Sequence, residues 1–111
     1  MDTKICYCAH LPHDDLLFSF IKFLGKSLEE AGFEKSFERM DPAGMDVYRY
    51  QAKEGLSVMI TRTQSGGDKD ELKISSEWNG LADLVDRAAD DFAKGIALRI
   101  KQGRQKTCSC C

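Results

Sequence analysis

Five cysteines and two histidines carry most of the metal and redox chemistry open to this chain. Cys6, Cys8, His10 and His13 cluster near its start, and Cys108, Cys110 and Cys111 close it, with no cysteine between. Thiolate and imidazole are the donors that suit Zn²⁺ or Cu(I). Period-two alternation over residues 4–11 puts Cys6, Cys8 and His10 on one face of a strand, successive donors about 6.5 Å apart. If the two ends of the domain meet, the tail cysteines join them. The candidate metal ligands are therefore Cys6, Cys8, His10, His13, Cys108, Cys110 and Cys111, with Zn or Cu(I) as the metal. The C-x-C spacing differs from the C-x₂₋₄-C of zinc fingers. The competing account makes Cys6 and Cys8 small, half-buried packing residues. An odd cysteine count excludes complete pairing within one chain.

The tail, Cys108-Ser109-Cys110-Cys111, has a C-x-C-C spacing that resembles metallothionein-like, soft-metal-chelating tails. It also follows Arg99, Lys101, Arg104 and Lys106. A Cys-Cys terminus behind basic residues resembles the prenylation signal of Rab-type small GTPases. That resemblance implies a lipid-anchored peripheral membrane protein, because lipid chains plus a basic patch hold a protein to an anionic bilayer. The phosphate-binding Gly-x-x-x-x-Gly-Lys-Ser/Thr motif is absent from the sequence, so the GTPase itself is not implied. Cys8 with His10 or His13 supplies the residue types of a thiol nucleophile and its base. Vicinal Cys110 and Cys111 could form a redox pair, but no C-x-x-C motif supports thioredoxin-type exchange. No catalytic residue is assigned, and a non-enzyme is the expectation.

Composition narrows the classes further. The 16 Lys+Arg against 18 Asp+Glu give a net charge of −2, which argues against a strongly basic nucleic-acid binder. A length of 111 residues with 42% hydrophobic and 31% charged side chains fits one globular domain. No apolar run reaches the roughly 18 residues of a membrane span, and no secretory leader is visible. The expectation is a cytoplasmic protein with reduced thiols.

Positioning these residues requires a scaffold. Ile5, Tyr7, Ala9 and Leu11 form the second face of the first strand, which Pro12 ends. Residues 14–31 read as a helix. Leu16, Leu17, Phe20, Ile21, Phe23, Leu24, Leu28 and Ala31 share its apolar arc, and Gly32 stops it. Phe18 projects away from that arc. Four strands follow, over 33–40, 45–53, 56–63 and 71–78, joined by turns at Asp41-Pro42-Ala43-Gly44 and Glu54-Gly55 and by a polar loop at 64–69. Short connections imply an antiparallel meander. A second helix is predicted over 80–102, with Asn79 as N-cap and an apolar stripe from Leu81 to Ile100.

The predicted fold is an α+β two-layer sandwich: one mainly antiparallel sheet of four or five strands, with two helices on one face, in the order β-α-β-β-β-β-α. Residues 1–103 form the domain and 104–111 a polar, basic, cysteine-rich tail. The open sheet face is expected to carry Tyr48, Tyr50 and Met59 among Lys, Glu, Ser and Thr. No site stands out in the body. The leading expectation is a small non-catalytic binding or regulatory module whose partner is another protein, with Phe18, Tyr48 and Tyr50 as candidate contacts. The alternatives are a soft-metal or thiol-redox protein and a lipid-anchored one.

Overall fold

A computed structural model describes residues 5–42, 44–64 and 67–105. The chain runs β1 (Ile5–Pro12), α1 (Asp15–Glu30), β2 (Glu34–Asp41), β3 (Met45–Gln51), β4 (Ser57–Gln64), β5 (Lys69–Ser76), α2 (Leu81–Phe92), α3 (Lys94–Gln102) and the two-residue β6 (Arg104–Gln105). One antiparallel sheet has the strand order β2-β3-β4-β5-β1-β6. The predicted α+β sandwich is therefore the observed fold, with five full strands and a third helix.

Alternation decides which side chains meet the helices. Tyr7, Ala9 and Leu11 of β1, Tyr48 and Tyr50 of β3, Val58 and Ile60 of β4, and Leu72 and Ile74 of β5 all point into the core. Leu17, Phe20, Leu24 and Leu28 of α1 meet them there, with Val85 and Ala89 of α2 and Ile96 and Ile100 of α3. Asp14 caps α1, its Oδ1 accepting from the Leu17 N–H at 3.2 Å. At the other end the Phe33 N–H donates to the Leu28 carbonyl and the Gly32 N–H to that of Glu29. This is a Schellman stop, and Gly32 supplies its φ of 99°.

Several expectations are corrected. Tyr48 and Tyr50 do not lie on the open sheet face but on the helix-covered one, 8% and 7% exposed. Their neighbours Val47 and Arg49 take the outer positions. Leu16, assigned to the apolar arc of α1, is 48% exposed at the arc's margin. The predicted second helix breaks at Ala93, which is extended (φ −165°, ψ 136°). A straight helix over 80–102 would run roughly 33 Å, past strands of roughly 26 Å. The break instead turns Ile96, Ala97 and Ile100 back onto β1. Gly80, not Asn79, occupies the N-cap of α2, with no side-chain cap bond. Arg104 and Gln105, assigned to the tail, pair with Tyr7 and Cys6 as β6.

Candidate partner-binding cleft

Helix α1 lies over the β2–β3 hairpin and leaves a cleft of about 270 Å³. Its helix wall is Phe18, Ile21, Lys22, Gly25, Lys26 and Glu29. Lys35, Glu38 and Met40 of β2 form the opposite wall, and Tyr48 and Tyr50 the floor. The three candidate contacts, Phe18, Tyr48 and Tyr50, are thus brought to one place. Burial raises the phenol pKa of both tyrosines, and Asp46 adds to the rise at Tyr48. The cleft floor therefore stays neutral and offers hydroxyls rather than phenolates.

Lys35 donates to Glu38 Oε1 at 2.6 Å along the β2 wall of the cleft. That hydrogen bond is the main reason the Lys35 ammonium holds its proton above the ordinary range. Both side chains are more than two-fifths exposed, at 44% and 41%, so the pair is screened and contributes little to folding.

Strand β2 borders this cleft and is exposed along nearly its whole length, Glu34 to Met40. Among the described residues it pairs with β3 alone, so from Glu34 to Met40 no strand lies along its other side. Phe37 is 46% and Met40 61% exposed, large apolar side chains at an open edge. A groove of about 530 Å³ between α1 and α2, lined by Phe23, Trp78 and Leu84 among others, is larger but is lined by no strand residue.

Phe18 closes one end of the cleft. It does not project into solvent: its ring covers the Arg62 guanidinium at 4.8 Å and meets the His13 ring edge-on at 5.5 Å. Arg62 donates from Nε to Asp46 Oδ2 at 2.8 Å and from a terminal guanidinium nitrogen to Asp70 Oδ2 at 2.7 Å. The same Asp70 oxygen is 2.6 Å from His13 Nδ1. Burial alone would lower the Arg62 pKa, but the hydrogen bonds to both carboxylates outweigh it and the net direction is up. Arg62, Asp46 and Asp70 are all buried.

Sequence reasoning missed this buried network, yet its signal was present. Tyr48 and Tyr50 continue back to Asp46 at period two, Val58 and Ile60 forward to Arg62, and Ile74 and Leu72 back to Asp70. Asp46 and Arg62 stand directly opposite in the β3–β4 ladder. Apolar faces that each end on a charged residue of complementary sign imply one buried ion cluster.

The candidate metal ligands diverge. His10 points to the outer face and lies 3.6 Å from Glu71, whereas His13 turns inward to Asp70. Cys6 and Cys8 share the outer face of β1 with His10; Cys6 is buried and Cys8 half-buried. Cys8 is disulfide-bonded, and a sulfur so engaged is not a thiolate ligand. Cys108, Cys110 and Cys111 lie outside the described residues. The chain that leads to them runs beside Cys6 through β6, and the Cys8 N–H donates to the Gly103 carbonyl at 2.9 Å. Among the described residues, no three His, Cys, Asp or Glu side chains group to hold a metal ion. No helix among them is long and apolar enough to cross a membrane.

No protein-family model matches the chain, and no curated protein is significantly similar to it.

Proposed function

We propose that the protein is a non-catalytic binding module that takes an extended segment of a protein partner along β2, with side chains entering the cleft beneath α1. One observation carries the reading: an eight-residue strand, exposed from Glu34 to Met40, borders a cleft floored by two buried tyrosines. An open edge offers backbone donors and acceptors for affinity, and an adjoining pocket reads alternate side chains for specificity. Natural edges this long are usually covered.

The test places a photo-crosslinking residue at Met40, and in a second variant at Leu98 on α3. Both positions are 61% exposed, so accessibility is matched. A discrete protein adduct from position 40 and none from position 98 is the expected outcome. Equal adducts, or none, would overturn the reading.

A second reading is thiol–disulfide chemistry at the ends of the chain, favoured by the disulfide at Cys8. A persistent bond belongs to an oxidising compartment, and a labile one to a redox-active pair. Counting alkylated cysteines before and after mild reduction separates this reading from an all-thiol chain.

A further inference from the structure

We infer that the occupant of the β2 edge is a second copy of this chain, paired antiparallel across a two-fold axis. The inference rests on β2 being a contact surface and names what covers it.

The pattern of side chains selects the register. In the β2–β3 ladder Lys35, Glu38 and Met40 stand opposite the core-facing Tyr50, Tyr48 and Asp46. Glu34 and Arg39 stand opposite Gln51 and Val47, on the other face. The register shifts between Lys35 and Phe37, so Ser36 is the extra residue of a bulge; its hydroxyl donates to the Arg49 carbonyl at 3.3 Å. A two-fold axis normal to the sheet keeps each face on its own side, so only residues of one face can pair.

Centring the axis between Ser36 and Phe37 satisfies this condition. Lys35 then faces the partner's Glu38 on the core side, and Glu34 faces the partner's Arg39 on the outer side. Symmetry repeats both pairs, and every pair is of opposite sign, which cross-strand neighbours favour. The two bulges fall together at the axis, so neither breaks the register. Sliding one copy so that Lys35 meets Met40 sets Glu34 against Asp41, two like charges. Charges and a bulge normally protect an edge from any other strand. Here the same devices favour a pairing that spans Glu34 to Arg39, and it is self-complementary in the way an isologous contact requires.

Edge pairing of this length makes a small, transient interface. Sedimentation equilibrium of the full chain, with reductant present to prevent cysteine cross-links, should therefore extend to about 1 mM. A monomer–dimer equilibrium is expected. Lys35→Glu places like charges opposite each other twice and weakens the dimer about tenfold. Adding Glu38→Lys restores the opposite pairing and the dimer with it. Both side chains are exposed, so circular dichroism of all three proteins should coincide. A wild type monomeric to the top of the series would overturn the inference. So would a dimer indifferent to Lys35→Glu, or a double variant as weak as the single. A monomeric chain that still forms an adduct with a different protein from position 40 would end this inference and leave the β2 surface standing.

Discussion

Gly25 of α1 and the Tyr50 hydroxyl of β3 occupy one contact: a Cβ added at Gly25 would run into that oxygen. The helix therefore rests on the Tyr50 ring with no side chain of its own between. This close approach sets the depth of the cleft and holds Tyr50 as its floor.

Gly25→Ala would ordinarily stabilise a helix interior by up to about 1 kcal/mol. Here it should destabilise by about 1–3 kcal/mol through overpacking. Tyr50→Phe removes the clashing atom, so the double variant should recover much of the loss. Urea midpoints of the wild type and three variants form the cycle, and additive losses would contradict the contact.

Arg62 joins two buried carboxylates, and the desolvation of all three groups is already committed. Arg62→Met strips Asp46 of its buried guanidinium partner and leaves Asp70 with His13 alone, and should cost about 3–5 kcal/mol. Replacing all three with apolar residues of similar size should cost far less, because no charge is left behind. Chemical denaturation measures both. A triple variant as unstable as Arg62→Met would show that the network contributes more than its own compensation.

The Tyr7 hydroxyl is buried and donates to Asp86 Oδ1 at 3.1 Å. Burial first, then the Asp86 charge and hydrogen bond, push its pKa well above the ordinary value. Above about pH 10 an unfolded tyrosine ionises and this one does not. The unfolded state then loses protons that the folded state retains, so stability falls with rising pH, by up to about 1.4 kcal/mol per unit for a fully coupled group. The contribution is complete below pH 10. Tyr7→Phe should flatten the alkaline slope of a denaturation series, and an unchanged slope would contradict the assignment.

The disulfide at Cys8 makes a prediction by mass. Alkylation under denaturing, non-reducing conditions should modify two fewer cysteines than alkylation after reduction. Cys8→Ser should abolish the difference, and five modified cysteines without reductant would contradict it.

Much of the fold was legible because burial writes periodicity into the chain. Leu72 and Ile74 alternate with Glu71 and Lys73, and the predicted helix over 14–31 with its Gly32 stop matches α1 (Asp15–Glu30) within a residue. Other features arise from tertiary fit and leave weaker local traces. Ala93 has neither the proline nor the cap that marks a helix break; the break answers to the span of the strands and the need to cover β1. Tyr48 and Tyr50 are amphipathic, and period two alone does not say which side of β3 is covered. Asp46 marks the covered side, and its place opposite Arg62 is visible only once β3 and β4 are aligned. The cleft was half-legible: its three aromatics were singled out by type, while Gly25, which gives them room, looks like an ordinary helix glycine.

The central claim is that β2 and the cleft beside it are where this protein meets a partner. Photo-crosslinking in the native cell from position 40, against the matched position 98, tests it most directly. The account predicts a discrete protein adduct from position 40 alone. Indistinguishable patterns from the two positions would contradict it.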